Sequence, residues 1–415
     1  MVKIAYLTGE YPRATDTFIQ REVAALREQG IEVQTCSIRR TGIEHLVGPE
    51  QKAEAARTFY VLAATSAPVR LLRCHAQALR RSPGRYWRAL KLALKTSPGG
   101  IKATLYQLFY FAEAVVLADQ LRRDGVQHLH NHIAKASCTV AMLCQEISGI
   151  PYSFTLHGPD IFFEPIRWRL DEKIARAAFV ACISEFCRSQ AMVFSDPQHW
   201  NRLHIVHCGI QPERYLAPTQ RAGSKALFVG RLAAVKGVPV LFSAMQQLIK
   251  DIPAFHLTLI GDGPERAALE QMASQMGLGP HVSFVGYKSQ AEVAEALQEH
   301  DLLVLPSFAE GVPVVLMEAM AAALPVVTTQ IAGVPELVQQ GHSGVLVPPG
   351  DPHALQEALH RVLTDPALAK QMGANGRAHV ERSFAIQSEA GWLGQLLTGY
   401  VAGTPPQGKR PEADA

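Results

Sequence analysis

An alternation in the second half of the chain restricts the fold more than any other feature. Short apolar runs at Ala226–Gly230, His256–Gly261, Val282–Gly286, Leu302–Pro306, Val326–Thr329 and Val345–Val347 read as strands. Segments of helical character fall between them, at about Val238–Lys250, Pro264–Met276, Gln290–Glu299, Val314–Ala323, Pro335–Gln340 and Pro352–Thr364. Strands that alternate with helices in this way predict a parallel sheet covered on both faces.

A second, less regular series precedes it. Its predicted strands are Lys3–Gly9, Glu32–Ile38, His128–His132, Tyr152–His157, Phe179–Ser184 and His204–Gly209, with helices at Asp16–Gln29 and Lys135–Ser148 and a basic helical region from about Val69 to Arg123. Pro212, Pro218 and Gly223 cluster within Gln211–Ser224 and mark a break. The expected fold class is therefore α/β, with two Rossmann-like parallel-sheet domains facing across a cleft. Residues 1–215 form the first domain and 216–385 the second. The tail Ala402–Ala415, rich in Pro, Gly and charge, is expected to be disordered.

The net charge of +3 over 415 residues gives no case for nucleic acid. Seven scattered cysteines without a CxxC pair suit a reducing cytoplasm. Met1–Gly9 reads as a strand rather than a signal peptide. The nearest approach to a membrane span is Val312–Thr329, which Glu318 and two prolines exclude, so any membrane contact is expected to be peripheral. Charge is unevenly spread. Ala55–Ala112 has no acid but carries Arg57, Arg70, Arg73, Arg80, Arg81, Arg85, Arg88, Lys91, Lys95 and Lys102.

Ser307–Glu318 holds the most suggestive chemistry. Glu310 is expected in the loop at a strand's C-terminal end, where open α/β sheets bind ligands. The following helix is expected to start near Val312 or Pro313, offering free N–H groups to a phosphate, with Pro313 suited to its first turn. Glu318 then lies on that helix. Both carboxylates suit neutral hydroxyls better than an anion. Arg231 and Lys236, in Gly230–Gly237, either grip a diphosphate or belong to an ordinary solvated loop. Asp262, in Gly261–Glu265, reads as a turn or cap residue. Tyr287 and Lys288 end a strand, where a base could stack or plain turn chemistry could suffice. His157, beside Gly158, Pro159 and Asp160, would project at the cleft. His128, His130 and His132 share one strand face, but no acid or cysteine accompanies them, so no metal is expected. The polar loop Gly9–Phe18 could face an acceptor.

Together these residues resemble glycosyltransferase family 4, retaining enzymes of GT-B fold. Glu310 and Glu318 reproduce its E-x7-E signature; Gly230-Arg231, Lys236-Gly237, Gly261–Glu265, Asp301–Ser307 and Gly333–Glu336 also fit. The resemblance implies a nucleotide-diphosphate sugar donor and no cofactor. Arg231 and Lys236 would hold the diphosphate, Glu310 the transferred sugar, amides near Gly311, Val312 and Pro313 a phosphate, and Glu318 the ribose. Tyr287 and Lys288 would lie near the base, and His157 near sugar or acceptor. The catalytic set would be Glu310, His157, Arg231 and Lys236, with the two cations and amide dipoles stabilising the leaving group without metal. The last helix, about Ile386–Val401, would cross back to the first domain. Polysaccharide-assembly members favour a polyprenyl-diphosphate-linked saccharide acceptor in surface or exopolysaccharide synthesis. The basic region, which also holds Tyr86, Trp87 and Leu90, would then meet an anionic membrane surface at the inner face of the plasma membrane; a merely solvated helical face is the competing reading. A nucleotide-sugar 2-epimerase of similar fold and a noncatalytic nucleotide-sugar-binding module remain as alternatives.

Overall fold

A computed structural model of the chain describes residues 2–13, 16–46, 48–158, 164–217 and 223–406. The chain divides into two compact units. One runs to His207 and takes up the chain again from Gln387; the other is Cys208–Ile386. The expected break at Gln211–Ser224 is thus displaced, for a physical reason. The N–H of Ile210 donates to the carbonyl of Phe384 at 2.9 Å and that of Ile386 to the carbonyl of Ile210 at 2.8 Å, so residues before Gln211 already pair within the second unit. Pro218 lies outside the described residues, as do Pro159, Asp160 and the tail from 407.

The first unit holds a seven-stranded sheet. Its strands are β1 (Lys3–Glu10), β2 (Glu32–Arg39), β3 (Phe59–Tyr60), β4 (His128–His132), β5 (Tyr152–Leu156), β6 (Val180–Cys182) and β7 (Leu203–Ile205). Their order is β3-β2-β1-β4-β5-β6-β7 and every pairing is parallel. The order reverses between β1 and β4, which is the switch point where such sheets bind ligands.

Parallel strands buried on both faces are normally apolar runs. β4 breaks this rule: His128, His130, Asn131 and His132 are all fully buried. Burying such groups costs roughly 2–7 kcal/mol each unless they are hydrogen-bonded. Partners come from β5, where Ser153 pairs in register with His130 and Thr155 with His132.

The helix Ile386–Ala402 packs on this first unit. The indole N–H of Trp392 donates to the carbonyl of Ile205 at 3.0 Å, Glu389 accepts the N–H of His207 at 2.8 Å, and Tyr400 meets His204 at 3.0 Å.

The helix Ile101–Arg123 corrects the membrane reading. By length and composition it could cross a bilayer, whereas Val312–Thr329 is split between helix and strand. A search for an uninterrupted apolar run passes over it because Lys102, Glu113 and Asp119 interrupt it. Its second half, from Phe111 through Leu121, is core; Ile101, Leu105 and Phe109, one face of the first half, are exposed.

The second unit holds β8 (Lys225–Val229), β9 (His256–Ile260), β10 (Val282–Gly286), β11 (Leu302–Leu305), β12 (Val326–Thr329) and β13 (Gly344–Val347). The order is β10-β9-β8-β11-β12-β13, again parallel, with the reversal between β8 and β11. Leu302–Leu305 is wholly buried, and each such side chain contributes about 1.5–3 kcal/mol. The helix Pro366–Ser383, which sequence reading missed, carries buried Gly373 and Gly376. A Cβ at Gly376 would lie 3.3 Å from Met320, so the glycine lets this helix approach Val314–Ala321.

Candidate active site

At the β8/β11 switch point, three loops are tied together by their backbones. The N–H of Phe308 donates to the carbonyl of Val235 at 2.7 Å. Gly237 sits at φ +66°, and a Cβ there would lie 2.1 Å from the Pro306 carbonyl oxygen. Only glycine supplies both that conformation and that clearance. Thr329, at the end of β12, donates its hydroxyl to the Ser307 carbonyl at 2.5 Å.

This lacing fixes a charged cluster. Lys236 donates to Glu310 Oε1 at 2.5 Å, and the Ser307 hydroxyl donates to the same oxygen at 2.7 Å. Both partners of the ion pair are largely shielded from solvent. Arg231 is exposed and, among the described residues, unpaired.

The helix that follows Glu310 is Val314–Ala321, with Pro313 as its N-cap and no side chain capping it. The helix begins at Val314, the first residue of the expected Val314–Ala323 segment, and Pro313 caps it, preceding the first turn instead of occupying it. Its first-turn amides, which follow directly on the Glu310 loop, have no side-chain cap, as helix N-termini leave N–H groups without intrahelical partners. Gly311 is half-buried, Val312 buried, and Glu318 half-buried one turn into the helix.

Arg231, Lys236, Glu310, Gly311, Val312, Pro313 and Glu318 thus lie in the segments that follow the two strands flanking the reversal. Tyr287 and Lys288 follow β10, the edge strand, with β9 intervening before β8. Tyr287 is 67% exposed, and Lys288 pairs with Glu292 at 2.8 Å beside a Ser289–Glu292 capping box. Asp262 is a turn residue: it accepts the Gly263 N–H at 2.7 Å and an Arg266 guanidinium N–H at 3.0 Å, and the helix Arg266–Gln275 starts after Glu265.

The first unit has its own cluster at the β1/β4 reversal. His157 follows β5 and is buried. Its Nε2 lies 3.1 Å from His132 Nδ1, and His132 Nε2 lies 2.9 Å from Glu22 Oε1. The Tyr6 hydroxyl donates to that same Glu22 oxygen at 2.6 Å. Phe18 lies beside His157, ring centroids 5.0 Å apart, so the Gly9–Phe18 segment does reach the histidine; its Ala14 and Thr15 lie outside the described residues. His130 bonds Ser153 at 2.8 Å and Thr155 at 2.9 Å, and His128 bonds Ser153 at 2.7 Å.

Burial pushes His157 and His130 well below the ordinary histidine range and His128 down to about 3. Those three are therefore neutral at neutral pH.

Sequence reading found no acid near these histidines. Glu22, from the helix Thr17–Glu28, supplies one, and Glu22, His130 and His132 bring ligand atoms within 4.8 Å of one another. Nothing local announced Glu22, for which the unusual histidine content of β4 was the only signal, whereas Ser307 stood at the head of the Ser307–Glu318 stretch without a role assigned to it.

Glycosyltransferase Family 4 matches residues 16–214, and Glycosyl transferases group 1 matches residues 219–379. A glycosyltransferase of Methanocaldococcus jannaschii is 32% identical over 62% of this chain and 71% of its own length. The colanic acid biosynthesis glycosyltransferase WcaL of Salmonella typhimurium is 27% identical over 86% of this chain and 90% of its own. Among solved structures, Anabaena HepE in complex with UDP superposes with a TM-score of 0.72, covering 96% of this chain and 100% of that one at 17% identity. Two doubly wound sheets, a glycine-laced cation–carboxylate cluster and these matches lead to one conclusion: the chain is a GT-B glycosyltransferase, with a Family 4 domain followed by a group 1 domain.

Proposed function

We propose that the chain moves a hexosyl group from a nucleotide-diphosphate sugar to a polyprenyl-diphosphate-linked saccharide, with retention at the anomeric carbon and without a metal ion. The observation that carries this reading is the Lys236–Glu310 contact beside Arg231 and the uncapped amide end at Pro313. An arriving diphosphate offers Lys236 a second anion. As the glycosidic bond breaks, negative charge grows on the leaving nucleoside diphosphate, and Arg231, Lys236 and the amides stabilise it in place. Glu310, partly released by Lys236, accepts hydroxyls of the transferred sugar, and Glu318 those of the ribose. Two cations and a helix end supply the electrostatics that a divalent ion would otherwise bring. HepE's bound UDP favours a nucleoside diphosphate as leaving group, and WcaL's role in colanic acid biosynthesis favours a surface-polysaccharide product.

The acceptor reading draws on the helices Pro68–Arg81, Pro83–Lys95 and Ile101–Arg123. Trp87 (58% exposed), Lys91 and Leu94 share one stripe, and Ile101, Leu105 and Phe109 (62% exposed) another. Not every cation of this region is available. Arg88 pairs with Glu146 and Lys95 with Glu172, both at 2.8 Å, and Arg81 lies 3.6 Å from Asp119. Arg80, Lys91 and Lys102 are exposed and, among the described residues, unpaired, so they are the ones that meet an anionic lipid surface at the inner leaflet.

Transfer of labelled sugar to a polyprenyl-diphosphate saccharide in vesicles tests the reading. Lys236→Ala and Glu310→Ala should each lower turnover roughly 100-fold with the fold retained. Near-normal rates in both would sink the site, and isomerisation of the nucleotide sugar without transfer would favour an epimerase. Charge reversal at Arg80, Lys91 and Lys102 should weaken co-sedimentation with anionic vesicles; unchanged binding removes the membrane surface from the proposal.

A further inference from the structure

Glu113 is a carboxyl that the transfer chemistry above leaves unused. It lies in the helix Ile101–Arg123 of the first unit and is only 6% exposed. Its Oε2 is buried without a hydrogen-bond partner, and among the described residues none reaches its Oε1 either. An unmet buried acceptor costs stability, and a carboxylate costs more than a neutral group. The groups that could meet it stop short. The Arg39 guanidinium, at the end of β2, is near enough for its charge to act on Glu113. Yet the two make no ion pair, and Arg39 is exposed and, among the described residues, unpaired. Tyr110, one turn before Glu113, lies within reach of the charges of Glu113 and Arg39. Its hydroxyl makes no hydrogen bond among the described residues. Tyr106, a further turn back and 47% exposed, stacks on Tyr110 with ring centroids 6.3 Å apart. Residues three and four apart share a helix face, so Tyr106, Tyr110 and Glu113 form one stripe.

We propose that Glu113, Arg39 and Tyr110 form a subsite for an uncharged saccharide ring, with Tyr106 and Tyr110 beneath the ring's apolar face. Each charge excludes a class of ligand. An ionised Glu113 repels an anion such as a phosphate, and Arg39 repels a cation. A neutral polyol satisfies both, because its hydroxyls donate to the carboxylate and accept from the guanidinium and the phenol. A few fixed polar groups beside aromatic rings are the usual furniture of a small-ligand site. The adjoining stripe of the same helix, Ile101, Leu105 and Phe109, is the exposed one assigned above to the lipid surface. A saccharide on the tyrosines would sit beside the lipid that carries it. Identifying that saccharide as the acceptor's rests on the transferase reading above; the subsite itself does not. The unpaired carboxyl is then a cost in stability kept for binding.

Saturation-transfer NMR on the full chain at pH 8 tests the subsite, with the methyl glycosides of glucose, galactose, mannose and N-acetylglucosamine as probes. At least one glycoside should take up saturation from the wild type, and inorganic phosphate should not displace it. Glu113→Leu and Arg39→Met should each weaken binding about tenfold, as expected for a lost hydrogen bond to a charged group. Arg39 is exposed, so its variant keeps the test open if Glu113→Leu fails to fold. Glu310→Ala should leave the glycoside bound, because Glu310 belongs to the other unit. No glycoside bound by the wild type, binding that survives the first-unit variants, displacement by phosphate, or loss in Glu310→Ala would each overturn the proposal. In transfer assays, Arg39→Met should raise the acceptor KM about tenfold and leave the donor KM within about twofold. An unchanged acceptor KM would remove the acceptor from this subsite. If a glycoside binds through Glu113 but no sugar is transferred to any acceptor, the transferase reading fails and the subsite stands.

Discussion

The two switch points occupy equivalent places in two sheets of the same winding, yet they handle polar atoms in opposite ways. Between β8 and β11, ions are kept as ions: Lys236 and Glu310 neutralise each other on loops held by Gly237. Between β1 and β4, burial, helped by the neighbouring imidazoles, holds His130 and His157 neutral, and hydroxyls take the hydrogen bonds of His130. Topology therefore fixes where a site lies, while burial and partner choice fix its charge.

The harshest way to break this contrast is Gly237→Val. The substitution forces a branched side chain into φ +66° with its Cβ 2.1 Å from the Pro306 carbonyl. Urea unfolding should show a loss of at least about 3 kcal/mol, with nucleotide binding gone.

Glu113 tests the neutral regime of the first unit. Burial raises its carboxyl to about 7, Arg39 only partly opposing, and its Oε2 has no hydrogen-bond partner among the described residues. The folded-state value lies above the unfolded one. Folding therefore binds a proton at mildly acid pH, and that contribution is lost as pH rises through 7. Glu113→Gln should accordingly raise stability at pH 8 by up to about 3 kcal/mol, a gap that closes as pH falls towards 5. A thermal melt series in pH measures it; an equal shift at both ends would contradict a buried, proton-binding carboxyl.

Salt should separate the two sites more gently. Raising ionic strength from about 0.05 to 0.5 M should raise the donor KM several-fold through Arg231 and Lys236, while the buried histidines of the first unit, shielded from solvent, should keep their hydrogen bonds. Smallest of all is Lys288→Ala, which removes an exposed pair to Glu292 and should cost at most about 0.5 kcal/mol. A marked rise in donor KM from that variant would instead place Lys288 among the donor contacts despite its position at the sheet edge.

The second unit was the more legible in sequence. Its strands are mostly continuous apolar runs followed by glycine or proline, and the E-x7-E spacing straddles the start of the helix after β11, at the sheet's reversal. Pro313 was expected in the first turn and is the N-cap, because proline is at home in both places. Pro366–Ser383 was missed because Gly373 and Gly376 weaken a helical signal for the sake of close packing. β3, only Phe59–Tyr60, is too short to leave a pattern. The His132–Glu22 contact joins residues 110 apart, a pairing that no local spacing encodes.

Ile386–Ala402 completes the first unit although the whole of Cys208–Ile386 precedes it in the chain. During synthesis, therefore, the earlier unit must wait, with the surface around Ile205 and His207 uncovered, until the ribosome has finished the later one. A single cut after His207 cannot yield two intact halves; it strands the closing helix on the wrong fragment.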